Sequence, residues 1–253
     1  MPKVPGSHAL RWAAGEAQAG RNPLMIVHAY EWAPPSRMRQ GTCFFLTTDV
    51  GVDEITRAAV EERARALVAT ANDVVTESSA RLSVLTRITE GPPAEVLSAA
   101  AQHAAMLVLG SHGRGLLGRM LPGSVSAAVA ADPPCPLVVV REQAVVRAPA
   151  VVLVCLDDGR RDAAALSYAV EHAARHGAPL RLVQARRPEE AGRDAGDRLR
   201  VRLRDLASTA GKVHPSVDVT WGVLDGHPAQ ALIELSASAG LVVIAARGGN
   251  GAR

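Results

Sequence analysis

The chain repeats itself, and a repeated sequence must fold into repeated units that each close a core. Ala9-Leu10-Arg11-Trp12-Ala13-Ala14 returns in kind as Ala165-Leu166-Ser167-Tyr168-Ala169-Val170, 156 positions later. The same spacing pairs Pro23-Leu24 with Pro179-Leu180, Val27 with Val183 and Ala29 with Ala185. Further on, Gly91, Pro93, Ala94 and Leu97 return as Gly226, Pro228, Ala229 and Leu232, now 135 positions later. That second match runs on into Met106-Leu107-Val108-Leu109 against Leu241-Val242-Val243-Ile244. The spacing shortens because the first copy carries extra polar, irregular residues around 34–52, read as a loop. Residues 1–141 form the first copy, 142–150 a short linker and 151–253 the second. Two copies in 253 residues give units of about 120–130 residues, an ordinary domain size.

Within each copy, apolar runs alternate with Ala-rich helical patterns. The pattern predicts helix 7–20, strand 24–29, helix 53–78, strand 82–88, helix 93–104, strand 106–109, helix 123–131 and strand 136–140. The second copy predicts strand 151–156, helix 161–176, strand 180–184, helix 195–211, strand 217–222, helix 228–239 and strand 241–245. The apolar runs are continuous rather than alternating, which suits strands covered on both faces. Strand–helix alternation implies right-handed crossovers and parallel sheets. The fold class is α/β: two tandem flavodoxin/Rossmann-like domains with helices on both faces of parallel sheets.

Composition narrows the function. Hydrophobic residues make up 48% but aromatics only 3%, so the cores are built of Ala, Val and Leu. Few aromatics argue against base stacking on single-stranded nucleic acid. The net charge is +3. The Arg-rich stretch 186–204 is interleaved with Glu189, Glu190, Asp194 and Asp197, with Asp205 just beyond, and reads as a solvated helix face rather than a nucleic-acid footprint. Cys43, Cys135 and Cys155 are far apart and odd in number, so a disulfide framework is not expected and a reducing cytoplasm is. No signal peptide and no run of about 18 apolar residues is evident, so no membrane span is expected. Abundant Ala, Arg and Val point to a high-GC bacterial gene.

One segment carries chemistry. After the apolar strand ending at Leu109 comes Gly110-Ser111-His112-Gly113-Arg114-Gly115-Leu116-Leu117-Gly118-Arg119-Met120-Leu121-Pro122-Gly123-Ser124-Val125-Ser126. Gly110 and Gly113 let the backbone turn away from the strand end. Gly123 and Ser124 open a helix, whose N-terminus offers unpaired N–H groups and partial positive charge to a phosphate. The Ser124 and Ser126 hydroxyls add donors. Two decoys lie inside. Gly113 to Gly118 spells GxGxxG, but it follows the fourth strand of its copy rather than the first and lacks a strand-end acid at the right place. Gly118 to Ser124 has P-loop spacing with Ser124 where Lys is required.

The spacing Gly110-x2-Gly113-x9-Gly123-Ser124, with Gly-Ser-His-Gly at 110–113 and Gly-Ser-Val-Ser at 123–126, resembles the nucleotide motif of universal stress proteins. The resemblance covers nearly the whole chain, twice. It implies an adenine nucleotide α-hydrolase-like domain with a five-stranded parallel sheet, and ATP, with or without magnesium, at the strand ends. It implies nucleotide contacts from Gly110, Ser111, Gly113, Gly123, Ser124, Val125 and Ser126. It also implies a small residue lining adenine, which maps to Ala29, and an Asp at the first strand end contacting the nucleoside, which maps to Asp157. It further implies homodimeric pairing through the last strand of the first domain. Against that pattern both ends look truncated. At the 156 spacing Met1 falls against Asp157, so the first copy is expected to lack its first strand and its Asp. The second copy keeps both, but Ala245 stands for Gly110, Gly248 stands for Gly113, and no Gly-Ser follows.

Other candidates weigh less. His172 and His176 share a helix face, but no third ligand and no HExxH is evident, so they read as solvated and no metal is assigned. His112 either contacts phosphate or packs the loop. Arg114 and Arg119 either meet phosphate or face water. Asp158 reads as a turn residue and Cys155 as core. No Ser-His-Asp or Cys-His set assembles, so no catalytic residue is assigned and at most weak ATP cleavage is expected. The function expected is an ATP-binding regulator of the stress response. One alternative is a structural or dimerisation module of the same family that no longer binds nucleotide. Another is an ATP-cleaving enzyme of related fold, which needs a Ser-Gly-Gly-type loop that Leu156-Asp157-Asp158-Gly159-Arg160 does not supply.

Overall fold

A computed structural model describes residues 7–32, 57–79, 81–111, 124–141, 150–157, 161–186 and 193–245. The chain divides into two compact units, Met1–Gln143 and Ala144–Arg253. In the first, α1 (Ser7–Gly20), β1 (Leu24–Tyr30), α2 (Arg57–Ser78), β2 (Val84–Glu90), α3 (Pro93–Ala101), β3 (Leu107–Gly110), α4 (Ser124–Ala131) and β4 (Leu137–Val140) follow in order. The second has β5 (Val151–Leu156), α5 (Asp162–His176), β6 (Leu180–Arg186), α6 (Arg193–Val213), β7 (Val219–Asp225), α7 (Pro228–Ser236) and β8 (Ala239–Ile244).

The repeat read from the sequence holds down to single hydrogen bonds. Leu24 N–H donates to Ser83 O at 2.9 Å, and its counterpart Leu180 donates to Asp218 O at 2.8 Å. Gly91 N–H donates to Tyr30 O at 2.9 Å, and Gly226 donates to Arg186 O at 3.1 Å. Both glycines leave a strand at positive φ, 143° and 128°, a region where a Cβ is strained. Each is followed by a helix with Pro in its first turn, where the missing N–H costs nothing.

The second unit is one parallel sheet in the order β7-β6-β5-β8. Val152, Leu153, Val154 and Leu156 of β5 are all buried. Neighbouring strand residues point to opposite faces, so both faces of β5 are covered. One face gives Val152, Val154, Leu156, Leu180 and Leu182 to a core closed by Ala165, Ala169 and Ala173 of α5 and Leu203, Ala207 and Ala210 of α6. Fully burying each Leu or Val is worth about 1.5–3 kcal/mol.

The first unit has the same pieces in a different state. Its strands form two separate parallel pairs, β1-β2 and β3-β4. Among the described residues no strand joins them, whereas in the second unit β5 lies between the counterparts β6 and β8. The five-stranded sheet implied by the resemblance is therefore absent from the described residues of either unit. The core of the first unit gathers on Ala14, Ile26 and Val75, with Leu10, Leu24, Ala71, Leu82 and Val84 packed around them.

Element boundaries moved where local bonding competes with the apolar pattern. The strand expected at 82–88 begins at Val84, because Leu82 N–H turns back to Ser79 O and pairing starts with Val84 opposite Leu24. The strand expected at 217–222 shifts likewise to Val219–Asp225, with Val217 N–H on His214 O. The helices expected at 93–104 and 228–239 stop at Ala101 and Ser236, each closing on a tight i→i+3 bond. Residues 53–56 of the expected second helix lie outside the described residues.

Candidate functional site

The candidate phosphate site begins where β3 ends. Gly110 is the last residue of β3 and pairs with Val140. Ser111 extends the ladder by one bond, its N–H donating to Val140 O at 2.9 Å. The Ser111 side chain is buried. The chain is next described at Ser124, the first residue of α4. Val125 is half-buried, and Ser126, in the first turn of the helix, is 3% exposed. Polar side chains on both sides of residues 112–123 are thus buried. Gly113, Gly123, the Ser124 side chain, His112, Arg114 and Arg119 lie outside the described residues.

Ala29 is half-buried, one residue before the end of β1, opposite Thr89. It shares the carboxyl-terminal end of parallel strands with Gly110, where α/β sheets place ligands. However, β1 and β3 belong to different strand pairs. Asp157 belongs to the second unit, directly after β5, and is exposed.

The carboxyl end of the second sheet holds a network that the sequence pattern did not reveal. Asp162, in the first turn of α5, is buried. Its Oδ1 accepts the Asp157 N–H at 3.4 Å. Its Oδ2 pairs with an Arg202 guanidinium nitrogen at 3.0 Å. The other arm of that guanidinium donates to Gln184 Oε1 at 2.6 Å, and Gln184 is itself buried beside Leu156 in the ladder. The fork of Arg202 thus ties α6 to α5 and β6. Removing one member of such a pair leaves an uncompensated charge and costs about 3–5 kcal/mol. At β6's end, Arg186 also pairs with Asp225 at 2.6 Å.

Two sequence readings need correction here. The Arg-rich stretch 186–204 is expected to be a solvated face. Arg200 and Asp197 fit that reading, both well exposed and paired with each other, but Arg202 reaches inward to a buried carboxylate. His172 and His176 are expected to be solvated. His172 is buried, with its ring centroid 4.3 Å from that of His176. Gln184, a buried polar residue two positions before the end of β6, belongs to this network.

Cys155 is half-buried in β5. Burial, and then the negative charges of Asp157 and Asp162, push its thiol pKa from 9.0 up to about 11. That disfavours the thiolate and makes the residue a poor nucleophile. No described helix is long and apolar enough to cross a membrane.

With this geometry in place, likeness to known proteins can be judged on more than motif letters. The universal stress protein family matches at residues 4–141 and again at 150–253. A universal stress protein of Mycobacterium tuberculosis is 30% identical over 258 residues, 95% of this chain and 82% of the relative. A universal stress protein of Thermus aquaticus is 35% identical over 141 residues, 53% of this chain and 90% of the relative. Among solved structures, a universal stress protein of Archaeoglobus fulgidus shares the fold with a TM-score of 0.66 at 16% identity, over 99% of this chain and 94% of that one. The repeat, the parallel sheets and the twofold family match agree: this chain belongs to the universal stress protein family, as a tandem pair of its domains.

Proposed function

We propose that the chain is an ATP-binding regulator of the stress response whose nucleotide affinity lies in the first unit. The observation that carries this reading is that Ser111, just after β3, and Ser126, in the first turn of α4, are both buried on either side of the glycine-rich sequence 112–123. Backbone N–H groups at a helix start and neutral hydroxyls suit a polyphosphate, and most of the charge of ATP is on its phosphates. The nucleoside end fits less well, since the carboxylate that closes the strand beside Ala29 is Glu90 of β2, and it pairs with Arg57. One charged hydrogen bond fewer to the nucleoside is worth about 1.5–3 kcal/mol, or about ten- to a hundredfold in affinity. In this reading the protein works by changing conformation or partners with ATP rather than by chemistry, in a cytoplasmic setting, and β4 is the edge through which two chains pair.

The test is an ATP titration, with and without magnesium, of wild type, Gly123→Asp and Asp157→Ala. Gly123→Asp places a carboxylate where phosphates sit and is expected to remove most of the affinity. Asp157→Ala is expected to change it by less than about threefold, well under the loss of one charged bond. Equal loss in both variants, or no binding by wild type, contradicts the proposal. A second reading, a family module that no longer binds nucleotide, draws support from the second unit, where Arg202 bonds both Asp162 and Gln184 at the strand ends.

A further inference from the structure

We propose that a cavity beside α3 in the first unit binds a small zwitterion, an α-amino acid with an aliphatic side chain. The cavity measures about 370 Å³ and lies between the end of β2 and one face of α3. That size falls at the lower end of small-molecule sites, about 300–1,000 Å³, so a metabolite suits it better than a polypeptide. Arg87 and Thr89 line it from β2, and Glu95, Val96, Ala99 and Ala100 line it from α3. Alternate strand residues share a face, as do helix residues three and four apart, so each wall is a single face of its element. Of the described residues assigned to nucleotide, none lines this cavity.

Charge sets the class of ligand. Arg87 and Glu95 are both exposed and make no ion pair or hydrogen bond among the described residues, although they line the same space. The third charged lining residue, Glu90, is paired with Arg57. One uncommitted cation and one uncommitted anion around aliphatic side chains match a molecule that carries a carboxylate, an ammonium and an apolar branch. The carboxylate accepts from the Arg87 guanidinium, with the Thr89 hydroxyl beside it, and the ammonium donates to Glu95. Val96, Ala99 and Ala100 are left for the aliphatic branch. The second copy shows that the scaffold does not require these charges. At the 135 spacing Gly222 stands for Arg87, Leu224 for Thr89 and Gln230 for Glu95, on a strand and a helix of the same lengths. There Gln230 Nε2 donates to Glu234 Oε1 at 3.3 Å, whereas Glu95 has Ala99 four residues on and keeps its carboxylate for a ligand. A Cβ on Gly222 would meet nothing within 4 Å, so packing does not impose the glycine. This inference stands apart from ATP binding and is tested without nucleotide.

The experiment is amide NMR of the full chain titrated with L-leucine, with 4-methylpentanoate, which lacks the ammonium, and with 3-methylbutylamine, which lacks the carboxylate. Leucine is expected to give saturable shifts at residues 87–91 and 95–100 below about 10 mM, the range of two charged contacts at an open site. Each analogue is expected to bind at least about tenfold more weakly, the loss of one charged hydrogen bond. Arg87→Gln and Glu95→Gln are each expected to weaken leucine by a similar factor, while an unchanged spectrum away from the cavity shows that the variants fold. No saturable shift with leucine overturns the proposal. So does binding of either analogue within about threefold of leucine, well under one charged bond, and so do variants that bind as wild type does. Shifts at residues 222–226 and 230–235 in place of the first-unit positions would overturn it as well.

Discussion

Cys155 shows how a single side chain reports on its sheet. Its thiol titrates near 11 when folded but near 9.0 when unfolded. The unfolded chain therefore loses this proton first, and the associated stability, complete below pH 9, drains away between about pH 9 and 11. Urea unfolding followed in the second unit should show that loss, and Cys155→Ala should flatten it. At about pH 8 the thiolate population is about a hundredfold below that of an ordinary cysteine, so alkylation of Cys155 in the native chain should be correspondingly slow. Arg202 is a sharper probe. Arg202→Ala strands the buried Asp162 carboxylate and should destabilise the second unit by about 3 kcal/mol. Arg202→Lys should recover only part of this, because an ammonium cannot fork between Asp162 and Gln184. A double-mutant cycle with Asp162→Ala isolates the pair; a coupling near zero would mean that the contact contributes nothing.

At the scale of elements, the duplicated strand–glycine–helix joint offers a matched comparison. Gly91 and Gly226 share a left-handed backbone and a hydrogen bond to the neighbouring strand. A Cβ on Gly226 would meet nothing within 4 Å, whereas one on Gly91 would lie 3.2 Å from Val96 Cγ2. Gly226→Ala should therefore cost only backbone strain, about 1–2 kcal/mol. Gly91→Ala should cost more, because the Val96 methyl must also shift. Local exchange at the first turns of α7 and α3 reads the two separately; equal costs would contradict the packing argument. These joints were legible in the sequence because glycine and proline at fixed spacing leave few alternatives. The ends of β2 and β7 were not, because Leu82 and Val217 are apolar yet serve turns. The Arg202 network was also hidden. Its members lie 18 and 40 residues apart, and no local period links residues brought together by crossover connections.

For the whole molecule, a duplicated sequence has produced two units whose described strands pair differently. The second closes a broad core around a central strand, while the first gathers a small one beneath α1 and α2. Among the described residues, β5 and Asp157 have no counterpart in the first unit. What the alignment could not show is that the described strands of the first unit form two separate pairs, because strand order is a property of the fold and not of the repeat. The most direct test of the account is residue-resolved amide NMR of the full chain during titration with ATP. The account predicts shifts concentrated at Gly110, Ser111, Val125 and Ser126, with little change around Asp157 and Asp162. Shifts centred on Asp157 and Asp162 while Gly110 to Ser126 stay still, or no shifts at all, would contradict it.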